Sequence, residues 1–165
     1  MIKLKQYRDI WLSEKVEEVI GFYPREFYPL DNFSSFKVEV DGYLYASLEE
    51  AFQSSLFLPD YPDISDKIKN SYSAHEAQKI MHEYSDKVKY SNNEKVELME
   101  KLLRLKIEQN PYVKKKLLET KDYLIVEDSP KDNYWGWGIN RDGENHLGKL
   151  WMKLREELRG GERGD

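Results

Sequence analysis

The clearest chemical signal in this sequence is a carboxylate in an apolar setting. Ser47 followed by Glu50 forms a capping-box pattern that opens a helix through Ala51, Phe52, Ser55 and Leu56. Phe52 and Leu56 set its inward face, and Glu49, three and seven residues before them, belongs to that face. A carboxylate there is costly unless it is paired or used. Glu49 is therefore a candidate functional acid, with a buried structural hydrogen bond as the competing reading. Its neighbour Glu50 points about 100° away around the helix and is expected at the surface.

Two aromatic and polar segments offer recognition chemistry. Glu127 to Asn145 carries two of the four Trp, Tyr134, several carboxylates and three Gly, with neither helical nor strand periodicity. A loop this long is as a rule functional or disordered, and its aromatic content argues against disorder. Trp beside Gly lets backbone pass close to a flat ligand while an indole stacks on it; the alternative is that Trp135 and Trp137 plug the end of the core. Gly136-Trp137-Gly138 is not a dinucleotide fingerprint, because it lacks the third Gly and its strand-to-helix turn is too long. The second segment, Phe22 to Phe33, sets Asn32 among Phe and Tyr, where it can read a base edge or ribose hydroxyl or simply satisfy a turn. His75 and His82 share a helix face but lack a third ligand, so solvated histidines are expected and no metal site. Lys114-Lys115-Lys116 reads as a solvated helix face, with a phosphate contact as the alternative.

Short elements must position these residues. Phe36, Val38 and Val40 alternate with charged residues, and Asp41-Gly42 then meets Tyr43-Leu44-Tyr45, which is a β-hairpin pattern. The helix opened by Ser47 ends before the Pro-containing Leu58 to Pro62. Ser73 and Glu76 cap a second helix with an Ala77, Ile80, Met81, Tyr84 stripe. Asn92 or Asn93 caps a longer core helix through Met99, Leu103 and Ile107, until Asn110-Pro111 interrupts it. Pro111 starts another helix, with Val113, Leu117 and Leu118 inward. Tyr123 to Val126 reads as a buried strand, and Leu147, Leu150, Trp151, Leu154 and Leu158 stripe a final helix.

Whole-chain numbers bound the function. At 165 residues and 19.7 kDa the chain suits one domain, expected over residues 1–158, with 159–165 as a flexible tail. Leu, Ile, Val and Phe make up about a quarter of it, enough for a core, and its 13% aromatic content exceeds what a small core needs. The absence of Cys removes disulfides, thiolate nucleophiles and thiolate metal sites, and fits a reducing compartment. A net charge of -5 argues against general duplex binding, while small anionic ligands remain open. No signal-like or membrane-spanning run is present, so a cytoplasmic protein without membrane association is expected.

Taken in order, the same segments resemble the NADAR family, also called YbiA-like proteins. The matching text is Phe27-Tyr28, Leu30-x-Asn32-Phe33, Phe36, and Asp41-Gly42-x-x-Tyr45-x-Ser47-x-Glu49-x-x-x-Gln53, followed by Ala77, Met99, Lys106 and Gln109-Asn110-Pro111. It continues with Leu117-Leu118-x-Thr120, Glu127, Asp132-x-x-Trp135-Gly136-x-Gly138, Gly143-x-Asn145-x-Leu147-Gly148, Leu150-x-Met152 and Arg155. The chain departs from the family pattern where Glu50 replaces a His and Leu56 a Lys, and where only Tyr90 or Ser91 stands near the place of a family Trp.

The resemblance implies an α+β fold: a single helix-dominated domain with a small β-sheet or hairpin. It implies an N-glycosidase without a cofactor, cutting the ribose–base or ribose–amine bond of an ADP-ribosylated nucleobase or a phosphoribosylamino pyrimidine of riboflavin synthesis. Its partner would be a small nucleotide-like substrate, or ADP-ribosylated nucleic acid. Breaking that bond leaves positive charge at the anomeric carbon, which a carboxylate stabilises while proton transfer reaches water and leaving group. Glu49 and Asp132 are the candidates. Lys106 matches a family lysine, as a phosphate ligand or, in the less favoured route, a Schiff-base nucleophile. Trp135 with Phe27, Tyr28 or Phe33 would stack on the base, within the Gly136 and Gly138 loop. Asn32 or Asn145 would hold ribose hydroxyls, and Arg155 a phosphate or a neighbouring Glu. The alternative is a non-catalytic ADP-ribose or nucleotide-binding module; a third reading is a protein-interaction domain using its aromatic surface.

Overall fold

The computed structural model describes residues 2–3, 18–21 and 25–162. Phe22, Tyr23 and Pro24 of the aromatic segment lie outside the described residues. So do most of the N-terminal stretch that bears on targeting and the last three residues of the expected tail. The chain divides into two compact units, residues 32–111 and residues 1–31 with 112–165.

The continuous unit begins with a hairpin of β3 (Val38–Val40) and β4 (Tyr43–Tyr45), paired antiparallel with Val40 opposite Tyr43. Asp41 and Gly42 carry φ of 48° and 87°, the two positive values that a tight primed turn requires. α1 (Leu48–Ser55) follows, capped by Ser47 Oγ accepting from the Glu50 backbone N–H at 3.3 Å. α2 (Pro62–Lys69) is a helix that the Pro-rich composition of this stretch conceals: Pro62 occupies its first turn, where no N–H is needed. α3 (Ala74–Glu83) is capped by Ser73. α4 (Asn92–Gln109) starts one residue earlier than the Asn caps expected for it, because Ser91 and Glu94 close a full capping box.

α1 is buried from Leu48 through Ser54, which makes it the centre of this unit rather than an amphipathic edge. Leu48, Ala51 and Phe52 join Val38, Ile68, Ala77, Met99, Leu102 and Leu103 in the core. A buried hydroxyl relay, Tyr45 Oη to Ser54 Oγ at 3.1 Å and Ser54 to Ser65 at 2.5 Å, ties β4, α1 and α2 together. The matched Gln109 serves the hairpin: its side chain accepts from Glu39 N at 2.6 Å and donates to Glu39 O at 2.9 Å, continuing the β3 ladder.

The other unit joins segments distant in sequence. β1 (Ile2–Lys3) pairs antiparallel with β2 (Glu18–Gly21), and β2 pairs in parallel with β5 (Leu124–Val126). A 3-10 segment spans Arg25–Leu30, and α5 runs Pro111–Glu119. α6 (His146–Glu162) continues beyond Leu158, where its apolar stripe ends. Leu147, Trp151 and Leu154 pack with Ile125, Val126, Leu117 and Leu30 in a core where Trp151 Nε1 donates to Leu30 O at 2.9 Å. Among the described residues six helices outweigh two small sheets, a helix-dominated α+β fold as the sequence implies. None of those helices is long and apolar enough to cross a membrane.

Candidate active site

Within residues 32–111, polar side chains gather where an apolar core is expected. Glu49 is 5% exposed, and its Oε1 accepts from Gln53 Nε2 at 2.6 Å, one turn further along α1. That bond orients the amide, since the reverse placement would set two acceptors together. It turns the buried Gln53 Oε1 away from the carboxylate, where it accepts no hydrogen bond from a described residue. The Glu49 backbone N–H is taken by Asn32 O at 3.0 Å, fixing the Asn32 loop at the start of α1. Asn32 Nδ2 points to Met99 Sδ at 3.5 Å, a weak acceptor, and its buried Oδ1 has no described hydrogen-bond donor.

Lys106 is fully buried on α4, donating to Ser34 Oγ at 3.1 Å with its ammonium 5.8 Å from the Phe36 ring centre. A buried ammonium requires such partners. The spacing holds the clue: Lys106 stands seven residues after Met99 and three after Leu103, on the apolar face. Neither Ser34 nor Gln53 is among the expected site residues: Gln53 lies in the matched motif one turn after Glu49, whereas Ser34 carries no sequence signal because its contact to α4 is made by an irregular loop. Glu50 does not lie at the surface as expected. It is 5% exposed because α1 is covered on both sides, and desolvation, opposed by a hydrogen bond from the Ala46 backbone, holds its pKa above the usual carboxylate value. Leu56 is buried and apolar. The Phe33 ring lies 4.6 Å from that of His75, tilted 48° to it, and His75 like His82 is exposed.

The second unit holds the remaining predicted residues, and those of the loop 127–145 sit in a segment folded on its own backbone. Asp132 Oδ1 accepts from Tyr134 N at 2.9 Å and Trp135 N at 2.8 Å. Trp137 N, Gly143 N and Asn145 N donate to Glu127, Trp137 and Gly136 carbonyls, while Tyr134 O and Trp135 O accept from His146 N and Leu147 N in the first turn of α6. The two Trp split the alternatives. Trp137 is fully buried, with Nε1 donating to Asp128 at 2.7 Å, whereas the half-buried Trp135 meets Tyr134 edge-on at 5.2 Å.

The glycines make room for this loop's own backbone. A Cβ on Gly136 would lie 2.5 Å from Glu127 O, and one on Gly138, at φ +73°, 3.0 Å from Asn133 Cβ. Asn145, fully buried at φ 52°, clamps β5: its Oδ1 accepts from Glu127 N at 3.0 Å and its Nδ2 donates to Ile125 O at 2.9 Å. Arg155 is 5% exposed, not on the polar side of its helix, and its Nη1 donates to Thr120 Oγ1 at 3.0 Å and Tyr123 O at 2.8 Å. Desolvation and then Arg159 draw its pKa below the usual arginine value. Phe27 is buried beneath the Lys116 ammonium at 5.6 Å, so that lysine is no simple solvated charge; Tyr28 is exposed.

A family model for the NADAR domain matches residues 14–159, and the chain belongs to that family. It is 31% identical over 145 residues to the N-glycosidase YbiA of Escherichia coli (strain K12), covering 86% of this chain and 89% of that protein. It is 33% identical over 149 residues to a riboflavin biosynthesis protein of Vibrio vulnificus (strain YJ016), of which it covers 40%. The NMR structure of the E. coli protein YbiA superposes with a TM-score of 0.74 at 29% identity, covering 96% of this chain and 94% of that one.

Proposed function

We propose that this protein is an N-glycosidase, hydrolysing the bond from ribose to a base or amine in an ADP-ribosylated nucleobase or a phosphoribosylamino pyrimidine. The observation that carries the reading is the Glu49 carboxylate, 5% exposed and held by the Gln53 amide among other buried polar side chains. The names borne by its family relatives supply the bond.

The chemistry follows from the charge that cleavage creates. As the C1′–N bond breaks, its electron pair leaves with the base and positive charge grows at C1′. The Glu49 carboxylate stabilises that charge, then takes a proton from the water that adds to C1′, and the departing nitrogen receives a proton. The buried Asn32 Oδ1 and Gln53 Oε1 can accept from ribose hydroxyls, which satisfies two groups that the described fold leaves unmatched. Lys106, next to Ser34, serves as a phosphate ligand or, in a second route, as an amine nucleophile on the opened sugar. In the other unit, Asp132 is the candidate second carboxylate and Trp135 the candidate ring for stacking.

The test is a screen of phosphoribosylamino pyrimidines and ADP-ribosylated guanine or thymine nucleotides, read by mass spectrometry for released base. Glu49→Gln is expected to lose about 10²- to 10⁴-fold in rate with an unchanged circular-dichroism spectrum, and Asp132→Asn to fall as well. Wild-type rates in both variants would overturn the mechanism. Calorimetry showing ADP-ribose binding with no turnover of any glycoside would turn the assignment to a binding module.

A further inference from the structure

The loop of residues 127–145 and the first turn of α6 bring three rings together, of which the proposed mechanism uses only one. The Tyr134 ring meets Trp135 edge-on at 5.2 Å and 88°, and it lies 4.3 Å from the His146 ring, tilted 39° to it. His146 in turn stands 6.4 Å from Trp135 at 75°. Backbone hydrogen bonds fix all three residues: Asp132 Oδ1 accepts from Tyr134 N and Trp135 N, while Tyr134 O and Trp135 O accept from His146 N and Leu147 N, each at 3.0 Å. The cluster is not sealed from solvent, since all three are half-buried. His146 falls at a position that the matched text Gly143-x-Asn145-x-Leu147-Gly148 leaves open.

Glu144 Oε1 lies 3.7 Å from His146 Nε2, while Nδ1 has no hydrogen-bond partner among the described residues. Glu144 also faces the Tyr134 hydroxyl, whose pKa is raised by burial first and by that carboxylate second. The ring spacing says what the imidazole can reach. A flat ring stacked about 3.5 Å above the indole lies parallel to it, and an imidazole standing across the indole plane can aim an N–H along the stacked ring's own plane. With an N···N distance of about 2.9 Å and ring radii of about 1.4 and 1.1 Å, the imidazole centre then falls about 6.5 Å from the indole centre. The observed separation is 6.4 Å. We propose that His146 is a further catalytic residue, contacting the edge of the base stacked on Trp135 and giving that base a proton as it leaves. The inference rests on the N-glycosidase reading, in which the donor of this proton is otherwise unassigned. As the C1′–N bond breaks, its electron pair goes to the base, the base takes the proton of the His146 imidazolium, and water reprotonates the imidazole before the next turnover.

Titration of thymine and of 5-aminouracil into 15N-labelled protein tests the contact without requiring turnover. Shifts are expected at the His146 ring and the Trp135 indole N–H, and their absence would overturn the assignment even if base release is observed. His146→Phe keeps a flat ring against Tyr134 and removes the proton donor. With an unchanged circular-dichroism spectrum, it should slow release of a base that must be protonated by at least about 10²-fold, and slow a ribosylpyridinium 5′-phosphate, whose pyridine leaves neutral, by less than about threefold. Wild-type rates on the first substrate, or equal losses on both, would overturn the proton-donor role. Thymine or 5-aminouracil binding at His146, in a protein that releases no base from any ribosyl substrate, would instead overturn the glycosidase reading and the proton transfer with it, leaving only a docking site for a flat ring.

Discussion

Glu50 carries a cost that its neighbour Glu49 makes easy to overlook. Its carboxyl is buried in the first turn of α1, and desolvation raises its folded pKa above the unfolded value. The stability linked to that shift is therefore full at low pH and lost as pH rises through the folded pKa. Glu50→Gln is expected to raise Tm at neutral pH and to flatten the decline in Tm from the acid side of the carboxylate range. A Tm profile identical to wild type would contradict it. At this scale the sequence is legible where one rule suffices. Glu49 follows from helical spacing, but Glu50 does not, because periodicity on one helix cannot show that neighbours cover its second face. Gly136 is legible as a close approach, and the backbone atom it approaches is the Glu127 carbonyl.

Helix ends and strand edges show the same division among elements. The α4 start rests on Ser91 Oγ accepting from Glu94 N at 3.2 Å, with Glu94 Oε1 returning to Ser91 N at 3.1 Å. Ser91→Ala should cost about 1 kcal/mol, or roughly 2–4 °C in Tm, while Asn92→Ala should cost little. Thermal melts giving the reverse order would move the cap to Asn92. Local chemistry alone makes the hairpin, the caps of α1 and α3, and the stripe of α6 readable in the sequence. α2 is hidden there because Pro62 reads as a breaker unless it falls in a first turn. The β2–β5 pairing is hidden because register between distant strands leaves no local signature.

Net charge acts on the whole molecule. A net charge of -5, with Lys116 and Arg159 paired to acids, is unfavourable to the many phosphate contacts on which duplex affinity depends. Fluorescence anisotropy with an unmodified DNA duplex is expected to give a dissociation constant weaker than about 10⁻⁴ M at physiological salt. Micromolar binding would place nucleic acid among its ligands directly. The aromatic excess is also clearer at this scale: Trp137, Trp151 and Phe27 belong to the core, whereas Tyr28, Phe33 and Trp135 keep exposed surface.

The parallel pairing of β2 with β5 sets an order in time. Residues 32–111 form an uninterrupted stretch, able to organise as it leaves the ribosome, whereas Val19 waits for Leu124, about a hundred residues later, to find its neighbour. A chain halted before Leu124 therefore retains every residue of the Glu49 cluster but lacks the strand that completes the sheet and the loop that presents Trp135.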